Sequence, residues 1–174
     1  MEISDSDKLN SKVLPILVHP HPNLRMVALP VEEFNSDLRQ LALNLLHTMY
    51  EEGGIGLAAT QVNVQLRILV IDLNGSWKAP QVFVNPVLKY TDGSQTLEEG
   101  CLSVPDYYDE VERPSHVKVT AYDVYGNEFE KEATGLEASC IQHEIDHLNG
   151  KLFVDYLSRL KQIRVRQKLR KARS

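Results

Sequence analysis

The stretch His143-Glu144-Ile145-Asp146-His147 sets two imidazoles four residues apart, with a carboxylate directly after the first. On a helix, residues four apart share a face. Both imidazoles can then grip one divalent ion while the carboxylate stands beside it as a base. With six histidines in 174 residues, H-E-x-x-H arises by accident only about 0.01 times in a chain of this composition. Two histidines do not complete a metal site, so a third ligand is needed.

One large class of zinc proteases continues the pattern as H-x-x-G-x-x-H. Gly150 fits the glycine, but Phe153 stands at the third histidine and cannot bind metal. Another protease class takes a downstream glutamate. Here no glutamate follows Glu144, and Asp155 is the only acid after Asp146. The search therefore moves upstream, where a thiolate is the attractive ligand. Cys140 lies three residues before His143 on the same helical face, which is near but crowded. Cys101 lies in the polar, turn-like run Glu98-Glu99-Gly100-Cys101-Leu102-Ser103, whereas a cysteine with only a packing role usually has apolar neighbours. These surroundings favour Cys101 and leave Cys140 open.

The elements that must position these groups are legible. Asn35 or Ser36 caps a helix whose apolar stripe is Leu38, Leu41, Ala42, Leu45 and Met49, and Gly53-Gly54 ends it. Residues 53–62 are too rich in glycine for regular helix. Strands are predicted over 67–72, 81–85, 87–91, 109–112, 116–123 and 128–133, with 98–105 as a loop or strand end closed by Pro105. Thr134 and Glu137 match a T-x-x-E capping box, and Gly150 sits where a helix C′ glycine belongs, so both ligand histidines fall inside one helix. That helix carries apolar residues on two faces and is expected to be buried. A third helix runs from about residue 158. The predicted fold is α+β: antiparallel sheets around a central buried H-E-x-x-H helix, with an N-terminal helix and a basic C-terminal helix. Residues 1–12 read as a flexible polar lead-in, 13–157 as the catalytic metal-hydrolase domain, and 158–174 as a terminal helix of that same domain.

Composition narrows the setting. The two cysteines make no disulfide framework, no apolar run approaches the ~20 residues of a membrane span, and the N-terminus resembles neither a signal nor a transit peptide. A cytoplasmic monomer, not bound to membrane, is expected. The net charge of −5 hides an asymmetry: Arg159, Lys161, Arg164, Arg166, Lys168, Arg170, Lys171 and Arg173 give the tail +8 against −13 for the rest. Such a tail is either a solvated helix face or a foot for a polyanion such as RNA.

"GIGLAATQ" at 54–61, "EGCLS" at 99–103 and "QHEIDH" at 142–147 resemble, in order and at the expected separations, the three signature motifs of the peptide deformylases. The resemblance extends over nearly the whole chain from about Val13. It implies a small α+β enzyme that removes the formyl group from N-formylmethionine at the start of nascent polypeptides, releasing formate. It also implies that Cys101, His143 and His147 hold the metal. The native ion of many members is Fe2+, with Zn2+ or Ni2+ able to take its place.

The chemistry then assigns roles. Metal-bound hydroxide attacks the formyl carbon, with Glu144 as general base and then general acid toward the departing amine. The side-chain amide of Gln61 and the backbone N–H of Leu102 are candidate donors to the oxyanion. Ile55, Gly56 and Gly100 can pair with an extended substrate backbone, reading little beyond its first residue. Leu136, Ser139 and Cys140 lie one turn before His143 and can wall a methionine pocket with Ile55 and Leu102. Three positions depart from the family pattern: Ser139 where an aliphatic residue is expected, Gly53 in place of an acid and Tyr108 in place of an arginine. The last two together remove a surface ion pair worth only about 0–1 kcal/mol. Two other readings compete, an internal-bond metalloprotease and a non-catalytic ribosome-bound module. The missing downstream ligand counts against the first, and the intact Glu144, Gln61 and ligand set against the second.

Overall fold

The computed structural model describes residues 1–173. Ser174, the last residue of the expected terminal helix, lies outside the described residues. The elements run α1 (Asp5–Asn10), α2 (Ser36–Glu51), β1 (Gly56–Ala58), β2 (Ile68–Ile71), β3 (Gln81–Asp92), β4 (Gln95–Cys101), β5 (Val104–Arg113), β6 (His116–Tyr122), β7 (Glu128–Thr134), α3 (Gly135–Leu148) and α4 (Arg159–Arg173). Five strands form one antiparallel sheet in the order β1-β2-β3-β6-β7, and β4 pairs with β5 as a separate hairpin. The α+β architecture with antiparallel sheets stands.

The core explains why β2 reads as one unbroken apolar run. Along Ile68–Ile71 all four residues are buried, because side chains alternate between two covered faces. Leu69 and Ile71 join Phe83, Val117 and Val119 against Ile141, Ile145 and Leu148 of α3. Ile68 and Val70 join Leu57 and Val84 against Leu38, Leu45, Leu46 and Met49 of α2. Each large aliphatic side chain sealed this way contributes about 1.5–3 kcal/mol. The sheet and the β4–β5 hairpin together make α3 a buried helix, so polar groups on its inner face sit in a dry interior. Val165 and Leu169 anchor α4 on Val104 and Val111 of β5, with Leu152 and Phe153 between.

Four sequence expectations change in detail. The strands expected over 81–85 and 87–91 are one strand, β3, because the chain continues through Asn85 instead of stopping at Pro86. Asn85 takes φ 51°, and its side-chain amide mimics a strand neighbour: it accepts from the Val31 N–H at 2.8 Å and donates to the Val31 carbonyl at 2.9 Å. Of the two readings of 98–105, the strand end holds: β4 ends at Cys101, a tight turn follows at Leu102-Ser103 and β5 begins, so Pro105 lies inside a strand of a two-stranded ribbon rather than closing the stretch. Residues 1–12 contain α1, held by a capping box between Ser4 and Asp7 and tied to α2 by Lys12 N–H donating to Asn44 at 2.9 Å. The capping box expected at Thr134 is absent. Glu137 instead accepts from Gln81 and pairs with Lys131.

The far end of α3 behaves as expected. Asn149 is the C-cap, and the N–H groups of Gly150 and Lys151 return to the carbonyls of His147 and Asp146 at 3.1 and 2.9 Å, a Schellman closure. Gly150 sits at φ +76°, and any Cβ there would strike the Arg25 carbonyl. Gly150→Ala is expected to lower stability by about 1–3 kcal/mol, measured as a shift of the urea unfolding midpoint. An unchanged midpoint would show that this closure does not hold the helix end.

Candidate active site

The hairpin β4–β5 lies along α3 from Gly135 to His147 and leaves a cleft of about 450 Å³ whose other wall is the Gly53–Gly56 segment. Glu144, His143, Cys140, Ser139 and Leu136 line it from α3, Gly100, Cys101 and Leu102 from the hairpin, and Ile55, Gly56 and Gln61 from the opposite wall. His147 is fully buried behind this surface. Every residue singled out in the sequence is therefore brought to one place. Leu136 is the outermost of those on α3, half exposed at the rim.

Cys101 Sγ, His143 and His147 offer three ligand atoms within 4.8 Å of one another. Cys101 Sγ lies 3.3 Å from His147 Nε2, and the two imidazole Nε2 atoms are 3.2 Å apart. Tetrahedral bonds of about 2.0–2.1 Å would separate two nitrogens by about 3.3 Å, so the spacing fits one small divalent cation. Cys140 does not compete: its sulfur turns away toward the Ile55 carbonyl at 3.8 Å. Burial pushes its thiol well above the ordinary range, with nearby Glu144 adding to the effect, so it remains neutral.

The two ligand imidazoles are held differently. Glu99 Oε1 lies 2.8 Å from His143 Nδ1. A carboxylate can only accept, so Nδ1 carries the proton and Nε2 keeps its lone pair for the metal. Burial works to raise the Glu99 carboxyl, but hydrogen bonds from His143 and Arg113 outweigh it and hold the group ionised. Arg113 grips both Glu99 oxygens at 2.6 and 3.0 Å and reaches Asp146 at 2.9 Å. Asp146 thus holds Arg113 and the Tyr156 hydroxyl, not an imidazole. Phe153 closes the ring of contacts by stacking on His143, with centroids 6.0 Å apart at 25°. His147 Nδ1 is buried with no protein partner.

Gln61 is only 1% exposed, which rules out a surface role. Its Oε1 accepts from the Ala58 N–H at 3.0 Å. Because that N–H can only donate, the amide NH2 must face the other way. There it donates to Ser103 Oγ at 3.1 Å and lies 3.6 Å from Cys101 Sγ. Glu144 Oε2, also buried, has no hydrogen-bond partner. Burial raises this carboxyl to about 7; neighbouring His143 works to lower it, and Glu99 to raise it further. A Cβ on Gly56 would come within 2.9 Å of Glu144 Oε1 and 3.0 Å of Cys140 Sγ, so only glycine lets β1 approach this closely. The Ser139 hydroxyl does not bond back to the Gly135 carbonyl of its own helix. Gln95 of β4 donates to both Gly135 O and Ser139 Oγ, at 2.7 and 2.8 Å. At the cleft mouth the Tyr108 ring lies over Gly100, its partner across the hairpin.

An H-E-x-x-H helix whose third ligand is a thiol from a facing hairpin is the layout of a metal-dependent hydrolase. The polypeptide deformylase family model matches residues 13–163. A peptide deformylase of Acinetobacter baumannii is 56% identical over 160 residues, covering 91% of each chain, and one of Pseudomonas aeruginosa is 54% identical over 91% of this chain and 95% of its own. Among solved structures, a peptide deformylase from Legionella pneumophila superposes with a TM-score of 0.90 at 48% identity, over 92% of this chain and 95% of that one. The chain belongs to the polypeptide deformylase family, and it is an enzyme.

Sequence reasoning missed Ser103, Phe153 and Gln95 as parts of this site and Arg113 as the partner of Glu99. The one available signal was an arginine at the end of a strand before Pro114, followed by no other cation until Lys118. Arg113→Met removes the guanidinium facing the buried Glu99 carboxylate and the half-buried Asp146, leaving them with His143 and the Tyr156 hydroxyl. It is expected to cost about 3–5 kcal/mol, read by chemical denaturation, and to lower the metal content of the purified protein by elemental analysis. A loss under 1 kcal/mol would show that the carboxylates find water instead.

Proposed function

We propose that this enzyme hydrolyses the formyl amide of N-formylmethionyl nascent peptides and releases formate. One observation carries this: a buried carboxylate oxygen of Glu144 with no partner lines the same cleft as Cys101 and His143. A general base must keep such a lone pair free until substrate and water arrive.

Cys101, His143 and His147 hold one divalent ion, with Fe2+ as the native metal and Zn2+ or Ni2+ as alternatives. Bound there, such an ion acidifies a water and draws charge from the formyl oxygen. The remaining work falls to the chain. Glu144 takes the proton of the attacking water and passes it to the amine nitrogen as the C–N bond breaks. The Gln61 amide N–H and the Leu102 backbone N–H donate to the oxygen that gains charge. Gln61 suits this role because Ala58 fixes which end of its amide faces Cys101. Ile55, Gly56 and Gly100 border the cleft with main chain, which favours an extended peptide read mainly at its first residue. Leu136, Ser139 and Cys140 with Ile55 and Leu102 form the pocket for that residue's side chain. The absence of a downstream protease ligand disfavours internal bond cleavage.

The setting follows from the same residues. Both cysteines are free thiols, which suits the reducing cytoplasm, and we take the enzyme to be a monomer. Among the described residues, no helix is long and apolar enough to cross a membrane. The +8 tail forms α4, whose Val165 and Leu169 are buried while Arg164, Arg166 and Arg170 stay exposed. We assign that basic face to contact with ribosomal RNA.

Two experiments test these roles. With the metal-loaded enzyme and formyl-Met-Ala-Ser, Glu144→Ala is expected to lower kcat about 10²–10⁴-fold and Gln61→Ala about 10²–10³-fold. If the wild type releases no formate but cuts an unformylated peptide internally, the protease reading replaces this one. Reversing Arg164, Arg166 and Arg170 to glutamate keeps the helix packed and is expected to abolish co-sedimentation with ribosomes at low salt. Sedimentation that persists would sink the RNA contact.

A further inference from the structure

The wall of the side-chain pocket contains one polar group whose proton has no acceptor. Ser139 is 4% exposed and lines the cleft next to Cys140 and Leu136. Its hydroxyl lies 2.8 Å from Gln95 Nε2, and the same nitrogen lies 2.7 Å from the Gly135 carbonyl. A carbonyl oxygen only accepts, so the Gln95 atom between them must be the amide NH2. Ser139 Oγ is then the acceptor of the second N–H, and its own O–H proton is left over. Among the described residues nothing takes that proton. The usual outlet for a helical serine is the carbonyl four residues back, and here Gln95 already serves that carbonyl.

The β4 register produces this arrangement. Gln95, Leu97 and Glu99 alternate onto the face turned toward α3. Glu99 fixes His143, Leu97 lines the cleft and Gln95 fixes Ser139. One strand thus sets both the ligand imidazole and the pocket wall one turn earlier.

We propose that the Ser139 hydroxyl is a specificity-determining hydrogen-bond donor, oriented by Gln95, that selects first residues carrying an acceptor where the methionine thioether sits. This rests on the cleft taking formylated peptides as assigned above. The thioether sulfur is a weak acceptor, the sulfoxide oxygen of oxidised methionine a strong one, and the methylene of norleucine none. A buried donor favours substrates that complete its bond and penalises those that leave it unmet. The enzyme therefore ranks formyl-methionine sulfoxide far closer to formyl-methionine than an all-apolar pocket would.

The metal-loaded enzyme and the variants Ser139→Ala and Gln95→Leu are assayed for formate release from three formyl tripeptides. These differ only in the first residue: methionine, methionine sulfoxide or norleucine. The kcat/KM ratio of sulfoxide over norleucine is expected to fall about fivefold to tenfold in Ser139→Ala, the scale of one hydrogen bond. Gln95→Leu frees the second lone pair of the Gly135 carbonyl, so Ser139 turns its proton there and the ratio falls similarly with the pocket wall unchanged. A packing role alone would slow all three peptides together and leave the ratio constant in both variants, which overturns the proposal. Formate release from none of the peptides by the wild type overturns the deformylase assignment and this proposal together, whereas release with a constant ratio overturns this proposal alone.

Discussion

The contact between the Glu99 carboxylate and His143 Nδ1 is the constraint on which the rest of the site depends. It joins two elements far apart in sequence, the hairpin that carries Cys101 and the helix that carries both imidazoles. Charge alone would not hold it, because a buried carboxylate facing one imidazole is costly to desolvate. Arg113 meets both Glu99 oxygens and makes the carboxylate tolerable, and Asp146 with Tyr156 does the same for Arg113. The guanidinium also lies over the Tyr156 ring, 4.9 Å from its centroid. The network closes on itself. Each charge is satisfied only because the next is present, so the hairpin has one stable seat on the helix, and that seat puts Cys101 Sγ 3.3 Å from His147 Nε2.

What the sequence made legible is what local chemistry controls. The H-E-x-x-H spacing, the C′ glycine at 150, the stripe of α2 and the alternation in β6 all depend on neighbours within a few residues, and each stands in the structure. Its errors share a different cause. Pro86 and Pro105 read as breaks because proline lacks an N–H, yet β3 continues through a register shift beside Asn85 and β5 starts in a two-stranded ribbon. Thr134 and Glu137 had the right spacing for a capping box, but Lys131 and Gln81 offer Glu137 partners from other strands. Tertiary partners override local signals wherever a side chain can reach a charged or amide group across the fold.

The same distinction runs through the site. Cys101, Gln61, Glu144 and the two histidines carried motif signals. The residues that orient them carried none, since Arg113, Ser103, Phe153 and Gln95 act across separations that no spacing rule covers. Phe153 is the sharpest case. It stands where a third histidine would complete a protease site, and in the fold it stacks on His143 as part of the support for that ligand. Tyr107 stacks on its other side, with centroids 6.3 Å apart, linking this support to β5.

Taking the third ligand from a hairpin changes what the cleft can accept. In the downstream arrangement all ligands would follow the helix, and the space above the metal could stay open along its length. Here the β4–β5 turn crosses that space, and the residues after Cys101 line the cleft opposite the Gly53–Gly56 segment. Main chain from both sides narrows the approach, and Gly56 is needed simply to let β1 pass Glu144 and Cys140. Ser139 and Leu136 line the same cleft one to two helical turns back from His143. A sulfur on a strand rather than an imidazole on the helix thus completes the Cys101–His143–His147 cluster and narrows the cleft at once. Both follow from the seat that Glu99 and Arg113 give the hairpin.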